Sequence, residues 1–142
     1  EKTTPNKTSS DTTTSNGQHQ PTDLGPPPEQ GQTEATATYP GTYQTYSAEV
    51  AEKARQQNRK IVLFFHADWC PFCVEADKQF KAKLSQIPAG VTVLKTNYDT
   101  EAALKKKYVV TYQHTLVQID TNGNLVSKWN GGDVENLKKY LK

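Results

Sequence analysis

Residues 60–73 read KIVLFFHADWCPFC, and the fold can be worked out from this stretch. The run from Ile61 to Phe65 is apolar on both faces, which is typical of a central strand that helices cover on both sides of its sheet. A helix is predicted to follow and to end before Pro88, because apolar residues recur at helical spacing, at Ala76, Phe80, Leu84 and Ile87. Both cysteines of the chain, Cys70 and Cys73, therefore lie where a buried strand leads into a helix.

This placement has a chemical consequence for the two thiols. Only the thiolate attacks a disulfide, and the free amides and dipole of a helix N-terminus stabilise negative charge. Thiols at such positions typically have pKa values of roughly 3.5 to 7.5 instead of about 8.5. Pro71 suits the first turn, where its missing N–H removes no helical hydrogen bond. We expect Cys70, at the tip of the helix, to be the nucleophile, and Cys73, one turn later, to resolve the mixed disulfide.

The chain from Ser47 to Lys142 alternates predicted helices with predicted strands. Ser47 caps a first helix, and after the dithiol helix come strands at 91–95, 115–119 and 125–129, a short helix at 100–108 and a last helix that begins at Asp133. Helical crossovers make the first two strands parallel, while the TNGN turn at 121–124 makes the last two antiparallel. The sequence predicts a three-layer α/β fold with a central mixed sheet and helices on both faces. Residues 39–46 either add a strand or pack on the surface.

Residues 1–46 differ in composition from the rest of the chain. They hold six of the eight prolines and twelve threonines, and their only large aliphatic side chain is Leu24. A segment so poor in apolar groups cannot offset the entropy of ordering its backbone, so we expect a disordered tail or tether before a domain at 47–142. The first 46 residues carry a net charge of −3 and the remainder +5. This surplus is too small to indicate a nucleic-acid-binding protein.

The longest apolar run, Ile61 to Phe65, has five residues and is too short to span a bilayer. A polar, Thr-rich segment in a chain without methionine is typical of a spacer after a signal peptide or membrane anchor. We therefore expect an extracytoplasmic domain (periplasmic, cell-surface or secreted), with membrane contact only through an anchor upstream of residue 1. The alternative is a cytosolic protein whose given sequence starts at an arbitrary position.

The stretch FHADWCPFC at 65–73 resembles the active site of the thioredoxin superfamily, and the order of elements from Ser47 to Lys142 agrees with that fold. Lys95 and Asp99 fall where the family's central strand ends, and Thr115 with Leu116 matches the segment that faces the dithiol. The resemblance implies a monomeric thiol–disulfide oxidoreductase that needs no cofactor or metal and acts on protein disulfides or dithiols with a redox partner protein. The residues implied to support the site or face the substrate are Trp69, Pro71, Phe72, Lys95, His114 and Thr115.

The chain departs from the family pattern in three ways. His114 stands where thioredoxins usually carry a cis-proline, and because a non-proline cis bond costs roughly 2.5 to 4 kcal/mol we expect the Gln113–His114 bond to be trans. Phe64 stands where many thioredoxins have a buried Asp that helps to deprotonate the second thiol, so Glu75, Lys95 or water would have to substitute. Pro71-Phe72 replaces Gly-Pro, which implies a potential above the reducing end of the family range.

Several side chains are open to either a functional or a purely structural interpretation. The His114 imidazole either stabilises a thiolate, shuttles a proton, ligates a metal, or merely fills space. Phe72 is either exposed for a partner or fills a gap in the core, and Trp69 either covers the sulfur or simply packs. His66 is expected to pack as an aromatic residue, and Lys105–Lys107 to form a solvated helix face.

Two other functions remain open at this point. A metal- or iron–sulfur-binding protein would use Cys70, Cys73 and His114, either within one chain or in a dimer that shares ligands. A protein-binding module would keep the fold and leave the disulfide idle. A static structural disulfide would stabilise little across so short a loop, and a usual zinc knuckle would need a second cysteine pair that the chain lacks.

Overall fold

The computed structural model describes residues 39–142, and residues 1–38 of the tail predicted at 1–46 lie outside them. The strands are β1 (Thr42–Thr45), β2 (Lys60–His66), β3 (Val91–Asn97), β4 (Thr115–Ile119) and β5 (Leu125–Asn130). The helices are α1 (Ala48–Gln56), α2 (Pro71–Ala82), α3 (Ala102–Lys107) and α4 (Val134–Tyr140), with one 3₁₀ turn at Leu84–Gln86. The five strands form one mixed sheet in the order β1-β3-β2-β4-β5. The predicted α/β fold with a central mixed sheet is confirmed.

Strand direction follows the connections. β3 pairs in parallel with both β1 and β2, because helices connect these strands along the chain. β4 pairs antiparallel with β2 and with β5, the second pair through the predicted turn. The carboxyl ends of β1, β2 and β3 therefore meet at one edge of the sheet, where α2 begins.

Alternate residues of β2 face two separate apolar cores. On one face Val62 and Phe64 pack with Phe80 of α2 and Leu137 of α4. On the other face Ile61, Leu63 and Phe65 pack with residues from α1 and the end of α3, including Ala51, Ala54 and Tyr108. Each core lies under a different pair of helices, so the sheet is covered on both sides. Both cysteines belong to the first core.

The boundary predicted between residues 46 and 47 is wrong for the residues just before it. Thr42–Thr45 form β1, which pairs in register with Thr92–Lys95 of β3. Gly41 lies so close to the backbone and side chain of Ile87 that a Cβ at this position would collide with both. The folded unit thus includes residues before Ser47, and of the two possibilities left open for 39–46 the structure shows the strand.

The dithiol helix is shorter than predicted. α2 ends at Ala82, because Lys83 leaves the helical conformation (φ −110°, ψ 33°). The 3₁₀ turn that follows leaves the Leu84 side chain exposed and returns Ile87 to the core. The prediction that the helix continues through Leu84 and Ile87 is therefore wrong. Within residues 39–142, no helix combines the length and apolar character that crossing a membrane needs.

Candidate active site at the start of helix α2

Cys70 is the N-cap residue of α2, and Cys73 lies in the first turn. The Cys70 backbone is extended, and its Sγ accepts a hydrogen bond from the Cys73 N–H at 3.3 Å. A thiol sulfur thus takes the place that a Ser or Asp side chain usually fills at a helix start. Cys70 is 4% exposed and Cys73 is 0% exposed, and neither is in a disulfide. The structure therefore brings the two cysteines together as predicted, with Cys70 on the solvent side.

Burial governs the ionisation of the second thiol, Cys73. Burial, together with the neighbouring Cys70 thiol, raises the pKa of Cys73 to about 12, although backbone contacts from Ala67 and His114 act in the opposite direction. Cys73 is therefore protonated at neutral pH. It cannot attack a disulfide until its proton has been removed, which suits a second, resolving thiol.

Two aromatic side chains flank the dithiol and face solvent. Phe72 is 76% exposed, so it does not fill a gap in its own core, and Trp69 is 60% exposed. The Trp69 indole donates a hydrogen bond to the Asp99 carboxylate at 3.1 Å and meets the Tyr98 ring edge-on at a centroid distance of 6.4 Å. Trp69 is thus tied to the loop after β3. Together, Trp69 and Phe72 surround the rim of the dithiol with exposed apolar surface.

His114 holds the loop opposite the dithiol through its backbone and its ring. No peptide bond in residues 39–142 is cis, so the Gln113–His114 bond is trans as expected. His114 takes a positive φ of 60°, a conformation in which His is enriched among non-glycine residues. Its N–H donates to the Phe65 carbonyl at 2.7 Å, its ring Nε2 lies 2.9 Å from the Gly132 carbonyl, and the ring packs on Phe64. The imidazole therefore contacts the loop through Gly132 and the core through Phe64.

These contacts bear on the metal-binding alternative. The His114 Nε2 already has a partner in Gly132. Within 39–142, no three side chains of the metal-ligating types His, Cys, Asp and Glu come together in a cluster that could hold an ion. The structure gives no support to a metal site built from Cys70, Cys73 and His114.

The other predicted residues lie near the site in different ways. Thr115 is buried, and its hydroxyl donates to the Tyr112 carbonyl at 2.7 Å, so it fixes the loop before β4. His66 is buried against Phe64, as expected for a packed ring, with Nδ1 3.4 Å from Asp68. Burial, with the nearby positive charge of Lys95, lowers the pKa of His66.

Sequence reasoning missed one buried group close to Cys73. Asp77 lies one turn further along α2 and is 8% exposed. Its carboxylate accepts a hydrogen bond from the Tyr43 hydroxyl at 2.6 Å, and it lies 2.7 Å from Lys81 Nζ and 3.4 Å from Lys95 Nζ. Lys95, predicted as a site residue, reaches the site through this carboxylate. The sequence signal that could have identified Asp77 is the presence of an acidic residue among the apolar positions on the buried face of α2.

The candidate proton acceptor Glu75 lies elsewhere. It is exposed, and its carboxylate accepts a hydrogen bond from Gln79 at 2.9 Å on the solvent side of α2. The structure therefore does not place Glu75 with the dithiol.

Comparison with known proteins identifies the family. A family model described as thioredoxin matches residues 39–142. The chain belongs to the thioredoxin family. Thioredoxin H4 of Arabidopsis thaliana is 28% identical over 90 residues, which cover 63% of this chain and 75% of that protein. Thioredoxins in general are thiol–disulfide oxidoreductases that act on protein disulfides together with redox partners. This chain is a member of that family of oxidoreductases.

Solved thioredoxin structures have the same fold. The thioredoxin of Fasciola hepatica is 29% identical, with a TM-score of 0.55 over 68% of this chain and 93% of that chain. Trxlp from Edwardsiella tarda is 24% identical, with a TM-score of 0.57 over 68% of this chain and 95% of that chain. The likeness to Trxlp concerns the fold alone.

Proposed function

We propose that Cys70 and Cys73 carry out a dithiol–disulfide cycle on protein cysteines. The observation that carries this proposal is the pairing of an N-cap thiol that accepts the Cys73 N–H with a second, wholly buried thiol one turn later. Cys70 directly follows the exposed Trp69 and precedes the exposed Phe72 by two residues, while Cys73 has no exposed surface. This order matches an attacking thiol and a resolving thiol.

The cycle in the reducing direction has two displacements. The Cys70 thiolate attacks one sulfur of a substrate disulfide, so a Cys70–substrate disulfide forms while the substrate's own disulfide breaks and one substrate thiolate leaves. Cys73 then loses its proton and attacks Cys70, forming the Cys70–Cys73 disulfide and releasing the second substrate thiolate. The two electrons gained by the substrate come from the two thiols, and no cofactor is needed. A redox partner returns the pair to the dithiol.

A turnover assay tests this cycle. The unaltered protein is expected to catalyse the reduction of a protein disulfide by a small dithiol, and Cys70→Ser is expected to lose that catalysis. Cys73→Ser is expected to lose turnover while still being able to react once through Cys70. Catalysis that survives in Cys70→Ser would contradict the assignment of the nucleophile.

We also propose that the dithiol is more oxidising than that of the most reducing thioredoxins. Pro71-Phe72 between the cysteines supports this, since the intervening pair influences thiolate stability and family potentials run from about −270 to −120 mV. Equilibration of the protein with glutathione buffers measures the potential. A value at or below about −270 mV contradicts the proposal.

The composition of residues 1–46 supports a further proposal on location, namely that the domain works outside the cytoplasm on a tether. Protease treatment of intact cells that carry a tagged full-length protein tests it. Loss of the tag without lysis is expected. Protection of the tag until the cells are lysed would contradict an extracytoplasmic cell-surface location, and fractionation then distinguishes a periplasmic protein from a cytoplasmic one.

A further inference from the structure

A buried ionic cluster lies behind the second cysteine. Asp77 of α2 binds the Tyr43 hydroxyl of β1 at 2.6 Å and lies 3.4 Å from Lys95 Nζ of β3. Lys81, one turn further along α2, binds the other carboxylate oxygen at 2.7 Å from a mostly exposed position. Three elements thus contribute charged or polar groups to one buried carboxylate. A charge buried in this way requires such partners, because burial of an unpaired carboxylate is costly.

This cluster is close to Cys73. Residues four apart on a helix are neighbours on one face, with Cβ atoms about 5–6 Å apart, and Asp77 follows Cys73 by four positions. The Tyr43 ring packs against the core cluster that contains Cys73 and stacks on Phe80 at a centroid distance of 5.2 Å. Burial raises the pKa of Tyr43, as do its bond to Asp77 and the charge that a Cys73 thiolate would carry. The Tyr43 hydroxyl therefore lies within the electrostatic reach of both groups.

Lys95 reaches Asp77 because of the register of the sheet. Lys95 pairs with Phe64 across β2 and β3, and Phe64 is fully buried. An apolar residue at this position leaves Lys95 without a carboxylate on the neighbouring strand. Asp77 supplies that carboxylate from the helix.

We propose that Asp77 is a positioning residue that holds Tyr43 and Lys95 in one ionic cluster, one helical turn from Cys73, and thereby sets the pH at which Cys73 resolves the mixed disulfide. This inference rests on the proposed dithiol cycle. Asp77 acts through its charge and its partners, and it does not accept the proton itself. Its two oxygens are already occupied by Tyr43, Lys81 and Lys95.

The ionisation of Asp77 agrees with this role. Burial acts to raise its pKa, but the hydrogen bonds from Lys81 and Tyr43 and the charge of Lys95 outweigh it, so the pKa of Asp77 is below its usual value. Asp77 is therefore an anion throughout the pH range in which thiols react. The groups that face the cluster from the elements packed around it are Tyr43 on β1, His66 on β2, Lys95 on β3, and Cys73 and Lys81 on α2.

The direction of the effect follows from the charges. In Asp77→Asn the positive charge of Lys95 loses its nearest anion, so it stabilises a Cys73 thiolate more strongly. The pH dependence of resolution is expected to move down by about one unit. At a fixed pH below the Cys73 pKa the thiolate is then about tenfold more abundant, and because its nucleophilicity falls with its pKa, the resolution rate is expected to rise about three- to fourfold. In Lys95→Met the anion remains without that cation, and the shift is expected in the opposite direction. A general-base role for Asp77 predicts slower resolution in Asp77→Asn.

The disulfide of thionitrobenzoate separates the two displacements. Attack by Cys70 releases one coloured thiolate and leaves the other half of the reagent on Cys70. Attack by Cys73 on that mixed disulfide then releases the second coloured thiolate, and the rate of this second phase is the resolution rate. We expect the second phase to be faster in Asp77→Asn, slower in Lys95→Met, and unchanged in the matched control Glu75→Gln, which removes an exposed carboxylate from the same helix.

A second measurement keeps this inference separate from the proposed function. In Cys70→Ser, Cys73 is the one cysteine left in the chain, and the pH dependence of its Cβ chemical shift reports its ionisation without any catalysis. Adding Asp77→Asn is expected to lower the midpoint by about one unit, and adding Glu75→Gln to leave it unchanged. If the unaltered protein releases no second thiolate, the dithiol cycle fails while this titration still tests the role of Asp77. An unchanged or raised midpoint in Asp77→Asn, with the fold intact by circular dichroism, overturns the inference.

Discussion

At this site, the role of each buried polar side chain depends on the partner that it binds. His114 replaces the proline of the family pattern, and the ring that could have joined the dithiol bonds to Gly132 instead. His66 is buried on the same edge with only a long contact to Asp68, so its charged form is disfavoured. The chemistry left to the site is therefore concentrated in the two sulfurs and in the ionic cluster around Asp77.

The burial of His66 predicts an acid dependence of stability. Its pKa is lowered in the folded state, so the folded protein favours the neutral ring, whereas the unfolded chain binds a proton with a pKa near 6.5. Above about pH 6.5, the neutral His66 ring makes its full contribution to the free energy of unfolding. That contribution is expected to fall as the pH drops from about 6.5 through the lowered folded-state pKa. Urea titrations across this range measure it.

The matched variant for this dependence is His66→Phe, which keeps an aromatic ring and has no titrating group. Its stability is expected to be flat over the same range, until the pH falls to about 4, where Asp77 in the unfolded chain begins to bind a proton that its lowered folded-state pKa excludes. An identical acid dependence in His66→Phe and in the unaltered protein would show that another group is responsible.

Secondary-structure elements differ in how well the sequence predicts them, for a physical reason. β2 and the start of α2 could be predicted, since an uninterrupted apolar run and a dithiol with Pro71 leave few other conformations. β1 could not, because its four residues read TYQT, half of them are exposed, and its support comes from pairing with β3, distant in sequence. The same holds for Asp77, whose partners Tyr43 and Lys95 are brought to it only by the sheet.

The close approach at Gly41 makes β1 testable. In Gly41→Ala the new Cβ would collide with the Ile87 carbonyl, so β1 or the chain before β3 must move. We expect a loss of about 1–3 kcal/mol in the free energy of unfolding, typical of overpacking. Gln44→Ala, an exposed position on the same strand, is expected to stay within about 0.5 kcal/mol. Equal stabilities for the two variants would show that β1 contributes little to the domain.

At the level of the whole molecule, the fold gathers the dithiol, its aromatic rim and the ionic cluster at one edge of the sheet. The parallel strands β1, β2 and β3 end there, and α2 begins there. The order of elements along residues 47–142 was enough to predict this architecture, whereas the rim and the cluster combine residues from separate strands, helices and loops. Exposed rings at such an edge are available to contact a protein substrate without any change in the core.

The exposed Phe72 ring predicts a role in substrate binding. Phe72→Ser removes apolar surface from the rim and leaves both sulfurs in place, so the KM for a protein disulfide is expected to rise about fivefold with little change in kcat. Val126→Ser, which removes an exposed apolar side chain from β5, is the control and is expected to leave both constants unchanged. A fall in kcat without a change in KM would instead indicate that Phe72 affects the thiols themselves.

The assignment of Cys70 as the attacking thiol and Cys73 as the resolving thiol is tested most directly by trapping the mixed disulfide. Cys73→Ser is incubated with a protein disulfide and quenched in acid, and mass spectrometry locates the new bond. The account predicts a stable mixed disulfide between the substrate and Cys70, and none from Cys70→Ser under the same conditions. Absence of any adduct at Cys70 in a folded Cys73→Ser protein, or an equal adduct at Cys73 in Cys70→Ser, would contradict it.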